Sequence, residues 1–158
     1  MTELRFKNVT KRYGDKLALD HFNAVLFPGI YGLLGPNGAG KSTLMQLITD
    51  SISRTEGEIL YNGTEILELG EAFRNVVGYL PQSQAVYDQF SAERFLYYIA
   101  GLKGMKKKQA REEIGQYLEM VGLYEKKQNK LGSFSGGMRQ RVLFAAACIG
   151  NPEIIILD

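Results

Sequence analysis

The sequence predicts an α/β fold, and three observations carry that reading. The first half is patterned as β-structure, a glycine-rich loop there joins an apolar run to a helical pattern, and a long helical stretch later ends in one more apolar run.

Leu4 to Val9 and His21 to Phe27 carry alternating or β-rich patterns around the turn signal Tyr13-Gly14-Asp15, which predicts an opening antiparallel ribbon. Pro28-Gly29 breaks the ribbon, and Ile30 to Leu34 reads as a short buried strand. Gly35 to Gly40 follows as the loop, and Lys41 to Thr49 reads as a helix with Leu44, Leu47 and Ile48 on its apolar face. Glu58 to Tyr61 and Thr64 to Ile66, joined by Asn62-Gly63, predict a second hairpin, because Asn-Gly is the strongest two-residue turn signal. Val76 to Leu80 reads as another buried strand.

From Ser91 the period changes. Phe95, Leu96, Ile99 and Leu102 fit one helix, and Ala110, Ile114, Tyr117, Leu118 and Val121 fit a second that Gly122 ends. Gly136 to Ile149 reads as a third helix, stopped by Asn151-Pro152, and Ile154 to Leu157 as a strand buried on both faces and ending in Asp158. The expected organisation is one domain over 1–158: a β subdomain and loop-bearing core over 1–90, an inserted helical subdomain over 91–134, and the last helix and strand over 135–158.

Composition narrows the function classes. A length of 158 residues holds one core and not two full domains. With 45% hydrophobic and 23% charged residues the chain is neither disordered, collagenous nor membrane-spanning in character. Its longest apolar run, Val142 to Ile149, falls far short of the ~20 residues that cross a bilayer. The first residues show no apolar core of a secretory signal, and the single Cys148 offers neither an internal disulfide nor metal-ligand spacing, so a cytoplasmic setting is expected. A net charge of +2 does not call for a nucleic-acid partner. Cys148 reads as a small core residue, and Lys106 to Lys108 as a solvated helix start with anionic lipid headgroups as the lesser alternative. Tyr97 and Tyr98 read as helix packing with wet hydroxyls, beside a lesser role in docking a helix of a membrane partner.

Gly35-Pro36-Asn37-Gly38-Ala39-Gly40-Lys41-Ser42 matches G-x-x-x-x-G-K-[ST], and it sits between the expected strand and helix, as that motif requires. A triphosphate carries several adjacent negative charges, so it needs many converging donors. Glycines let backbone N–H groups approach closely, the helix N-terminus adds partial positive charge, and Lys41 adds a full one toward the β and γ phosphates. The Ser42 hydroxyl suits Mg²⁺, and Thr43 completes the phosphate-binding run. The plain alternative is a glycine turn before an ordinary helix, but such a match arises by chance only about once in two hundred chains of this size. Asp158, at the end of an apolar strand, is the oxygen ligand on a rigid element that a Mg²⁺-nucleotide site needs next.

Together these residues resemble the nucleotide-binding domain of the ATP-binding cassette (ABC) family, a P-loop NTPase core carrying an antiparallel β subdomain and a helical insertion. The resemblance rests further on Phe134-Ser135-Gly136-Gly137-Met138-Arg139-Gln140-Arg141, similar to that family's signature loop and helix, and on Gly78-Tyr79-Leu80-Pro81-Gln82, similar to its glutamine loop. Tyr13 in Lys-Arg-Tyr-Gly is similar to its base-stacking aromatic. The resemblance implies ATP and Mg²⁺ as cofactors. It makes Lys41, Gln82 and Asp158 catalytic, Ser42, Gln82 and Asp158 metal ligands, and Ser135, Gly136 and Gly137 the contacts to an ATP held by a second nucleotide-binding domain packed head to tail. It also implies a transmembrane permease reached through the loop after Gln82, a place at the inner face of the membrane, and export more than import. A soluble ABC-type ATPase and an inert nucleotide-binding fragment are the rival readings, and a P-loop kinase or GTPase leaves Ser135-Gly136-Gly137 unexplained.

Two departures from the family pattern stand out. The signature reads Phe-Ser-Gly-Gly-Met where Leu-Ser-Gly-Gly-Gln is usual. The glutamate that follows the strand's aspartate in that family, and its later histidine, are not among the 158 residues, where His21 in the first hairpin is the sole histidine and reads as a surface or packing residue. Family topology places one further strand between Ile30–Leu34 and Ile154–Asp158, so an incomplete central sheet is expected, and residues 1–158 alone are expected to fold poorly. A strand gap of roughly 10 Å leaves backbone groups unpaired, each costing about 1–3 kcal/mol against a domain stability of about 5–15 kcal/mol.

Overall fold

The structure, a computed structural model, describes residues 2–82 and 87–158. It forms two compact units, 1–74 and 75–158.

The first unit is built on a four-stranded antiparallel sheet. Strands β1 (Leu4–Tyr13) and β2 (Lys16–Leu26) pair from Leu4 opposite Leu26 to Tyr13 opposite Lys16, turning at Gly14-Asp15. Strand β3 (Glu56–Tyr61) adds to the other edge of β1, and β4 (Thr64–Glu65) returns from it through Asn62-Gly63, whose φ values of 51° and 85° suit the tight turn. The ribbon is bulged: Asn8 and His21 both have positive φ, and the Asn23 amide donates to Asn8 Oδ1 at 2.8 Å and to the His21 carbonyl at 2.7 Å. His21 is exposed beside Asp20, as a surface residue should be. Helix α1 (Lys41–Ile48) buries Leu44, Leu47 and Ile48, the predicted face. The hairpin's second strand stops one residue short of its expected end, because Glu65 caps helix α2 (Ile66–Leu69) by accepting from the Leu67 N–H. Helix α3 (Glu71–Val76) has no counterpart in the sequence reading; Phe73, buried against Tyr61 with ring centroids 5.4 Å apart, is its anchor.

Ile30 to Leu34 is not the buried strand expected. It has no strand conformation, and Ile30 and Leu34 are 104% and 95% exposed. A central parallel strand exists only through the ladders on its two sides, and among the described residues no strand pairs with this run.

In the second unit β5 (Val77–Leu80) pairs in parallel with β6 (Ile154–Leu157), Val77 opposite Ile154 and Leu80 opposite Leu157. The crossover between them carries α4 (Ala92–Leu102), α5 (Lys107–Met120) and α6 (Gly136–Cys148). Phe95, Leu96, Ile114, Leu118, Leu131, Val142 and Ile149 form the centre of their shared core. Ser91 caps α4 by accepting from the Arg94 N–H at 3.2 Å, and Gly122 takes the left-handed conformation just past α5. Two expectations need correction. Leu102, placed on the apolar face of α4, is 68% exposed at its last turn, and β6 is buried on one face only, with Ile156 inside and Ile155 and Leu157 about half exposed. A two-stranded sheet with helices on one side covers only that side.

Helix α6 and β5 meet at backbone distance. A Cβ on Gly78 would run into the Ala147 carbonyl and sit 3.0 Å from Pro152 Cγ. Gly78→Ala in the full-length protein is therefore expected to lower stability by about 1–3 kcal/mol, read as a shifted urea midpoint at constant slope. An unchanged midpoint would show that the two elements are not in such contact.

Candidate functional site

In the first unit the loop from Gly35 to Gly40 reaches α1 through residues that only glycine suits. Gly35, Gly38 and Gly40 have φ of 154°, 86° and 88°, and a Cβ on Gly40 would strike the Ala18 carbonyl of β2. A Cβ on Gly38 would meet nothing within 4 Å, so the loop is open on that side. Pro36 accepts from the Ala39 N–H at 3.1 Å, closing the turn over Asn37 and Gly38. Gly40 caps α1 without a side-chain acceptor, and the first rung runs from the Leu44 N–H to the Gly40 carbonyl at 2.8 Å. No acidic residue stands in the first turn. The helix thus starts behind a residue that has no side chain to cap it, at the positive end of its dipole. Lys41 Nζ folds over the loop and donates to the carbonyls of Gly35 at 2.7 Å and Pro36 at 2.9 Å. Ser42 and Thr43 follow in the first turn.

Tyr13 ends β1 as an exposed residue. Since Tyr13 pairs with Lys16 and Gly40 packs on Ala18, the aromatic and the start of α1 lie toward the same end of the ribbon.

In the second unit the parallel register sends two expected residues off one edge. Gln82 lies two residues past Leu80 and Asp158 one past Leu157, and the Asp158 N–H donates to the Leu80 carbonyl at 2.9 Å. This is the carboxyl edge of a parallel pair, where α/β folds place ligands. Gln82 is exposed. Tyr79 Oη donates to Asp158 Oδ2 at 3.5 Å; burial, with the Asp158 carboxylate beside it, holds the Tyr79 hydroxyl above the usual tyrosine range. The loop after Gln82, expected to meet a transmembrane partner, includes residues 83–86, which lie outside the described residues.

Ser135 caps α6, its Oγ accepting from the Met138 N–H at 3.3 Å, and Gly136 and Gly137 form the first turn. A Cβ on either glycine would meet nothing within 4 Å, so the chain's own packing does not call for glycine there. The two departures in this segment face inward: Phe134 is buried and Met138 packs against the same core, so both act as apolar anchors of the loop. Arg139, which the sequence reading gave no task, ties the loop down. Its Nε donates to the Phe134 carbonyl at 3.3 Å, its Nη2 to the Gly132 carbonyl at 3.0 Å, and its Nη1 lies 3.5 Å from Asp88. No spacing rule in a single sequence reveals a side chain that folds back on its own loop. Cys148 is buried, and burial pushes its thiol up, away from nucleophile behaviour.

The loop, the helix start and Lys41 of the first unit form a donor set that suits a polyphosphate. In the second unit, Gln82 and Asp158 carry oxygens of the kind a hard divalent cation takes, as does the Ser42 hydroxyl in the first. No group of three or more His, Cys, Asp or Glu among the described residues is placed to hold a metal by itself.

A family model described as ABC transporter matches residues 21–158. The ABC transporter ATP-binding protein YxlF of Bacillus subtilis (strain 168) is 42% identical over 126 residues, 80% of this chain and 41% of that protein. The linearmycin resistance ATP-binding protein LnrL of the same organism is 34% identical over 98% of this chain and 50% of its own length. Among solved structures, one titled as the ATP binding subunit of an ABC transporter superposes with a TM-score of 0.87 at 26% identity, over 98% of this chain and 65% of that one. The chain spans about half the length of the curated relatives it matches.

Proposed function

The chain belongs to the ABC transporter family, and we propose that its protein is the ATP-binding and ATP-hydrolysing subunit of an ABC transporter that exports its cargo. One observation carries this reading: a helix start whose N-cap is a left-handed glycine, with Lys41 lying across the loop. Export draws support from the relatives, which include the linearmycin resistance protein and a multidrug transporter ATP-binding protein of Escherichia coli.

The backbone N–H groups of Gly35, Asn37, Gly38, Gly40, Lys41, Ser42 and Thr43 bind the phosphate chain, Pro36 and Ala39 close the turn that presents them, and the Lys41 ammonium swings from the Gly35 and Pro36 carbonyls to the β and γ phosphates. Tyr13 stacks on adenine. Ser42, Gln82 and Asp158 are the residues that would hold Mg²⁺. When bound, that ion neutralises charge on the phosphate oxygens. Gln82 orients water, and Asp158 keeps its carboxylate on a rigid strand end. Lys41, Gln82 and Asp158 are thus the catalytic set. Ser135, Gly136 and Gly137 present a second helix start to the ATP of a partner domain packed head to tail, as expected of glycines that their own chain leaves open. No general base is assigned among residues 1–158.

Residues 1–158 act as one ATP-binding domain with 91–134 as its helical insertion. No helix among the described residues is long and apolar enough to cross a membrane. The protein works with permease subunits, which hold it at the inner face of the membrane. The test is to purify the full-length protein from detergent-solubilised membranes. Co-purification of a membrane-spanning protein together with Mg²⁺-dependent ATP turnover is expected; ATP turnover by a protein that never associates with one would overturn the transport assignment.

A further inference from the structure

Lys11 precedes Tyr13 by two residues on β1, so the pleat places both side chains on one face of the strand. Its Nζ donates to the Ser53 carbonyl at 2.6 Å and stands 4.8 Å from the centroid of the Tyr13 ring. A cation within about 6 Å of a ring centroid is held by the ring's negative face. Ser53 is itself fixed beside β1, because two residues on the Thr55 N–H donates to the Thr10 carbonyl at 2.8 Å and Thr55 Oγ1 accepts from the Arg12 N–H at 3.0 Å. The ammonium is therefore pinned between a backbone carbonyl and the aromatic ring of a residue that remains 46% exposed.

We propose that Lys11 is a positioning residue for the nucleobase: it seats one face of the Tyr13 ring and so presents the other face, already ordered, to adenine. This rests on the reading of Tyr13 as the platform for the base. An exposed tyrosine gives up rotamer freedom when a ligand stacks on it, and a ring held beforehand gives up less. The cation also draws density from the ring, which improves its stacking on an electron-rich purine.

The test uses the full-length protein and a double-mutant cycle. Lys11→Met is expected to raise KM for ATP about two- to fivefold, the size of an exposed cation–π contact, with kcat held within twofold. Lys11→Arg restores KM. Inhibition by inorganic tripolyphosphate, which has no base, is unchanged by Lys11→Met, and in a Tyr13→Ala background Lys11→Met has no further effect on KM. A loss of tripolyphosphate affinity equal to that of ATP would overturn the proposal by making Lys11 a phosphate ligand, and an equal effect with and without Tyr13 would overturn it by making the two residues independent. If Tyr13→Ala lowers ATP affinity and Lys11→Met does not, the Lys11 assignment alone falls. If Tyr13→Ala has no effect, the base binds elsewhere and both readings fall. Melting curves on each variant separate these outcomes from unfolding.

Discussion

Lys41→Ala in the full-length protein lowers ATP turnover by about a hundredfold or more, the cost of removing a preorganised charge from the reacting phosphate. Stability should barely move. The Lys41 amine is exposed, and its bonds to the Gly35 and Pro36 carbonyls bring together groups that water serves as well. The informative result is the split: a folded protein with an unshifted urea midpoint and no turnover. A variant that turned ATP over normally would remove the loop from the chemistry.

The second large effect separates stability from function more sharply. Gly137 is the second residue of α6, in a first turn without an acidic group, and space around it is open. Gly137→Asp places a carboxylate at the positive end of the helix dipole and replaces the weakest helix former but proline, so the melting temperature stays level or rises. The same carboxylate would face the phosphates of a partner-bound nucleotide. Like charges about 4 Å apart at a protein surface repel by about 4 kcal/mol, enough for a loss of turnover of at least about a hundredfold. A stable, fully active Gly137→Asp protein would mean that this helix start meets no nucleotide.

These expectations depend on which features the sequence encodes locally. The α1 face of Leu44, Leu47 and Ile48, the Asn62-Gly63 turn and the Gly122 stop were all legible, because each follows from a helical period or from one residue's backbone preference. So was the order of loop, Lys41 and helix. Ile30 to Leu34 was not. An apolar run shows that a segment suits burial, but a parallel strand also needs neighbours, and their identity lies far away in the chain. The same limit hid the exposed face of β6, where Ile155 and Leu157 look no different in sequence from the buried Ile156. Helix α3 is too short for its period to show, and Phe73 is its only fully buried side chain.

Within the site, the residue types were legible and the supporting contacts were not. Gly40 could be assigned to a phosphate loop from spacing, but its packing on the Ala18 carbonyl could not. Phe134 and Met138 looked like departures from a pattern; packed against the helical core, they are anchors that leave Ser135 at its cap. Lys11 carried a usable signal, the two-residue spacing that puts it on the face of Tyr13, yet only the Ser53 contact distinguishes it from any exposed strand lysine.

Mixing the two inactive variants tests most directly whether the loop of one copy and the α6 start of another share a nucleotide. In a head-to-tail pair of one Lys41→Ala copy and one Gly137→Asp copy, one site collects both lesions and the other has neither. Equal mixing yields mixed pairs half the time, so turnover should recover to about a quarter of the normal value, one intact site in each mixed pair. Recovery no higher than that of either variant alone would contradict the account, because both lesions would then fall within each copy's own site.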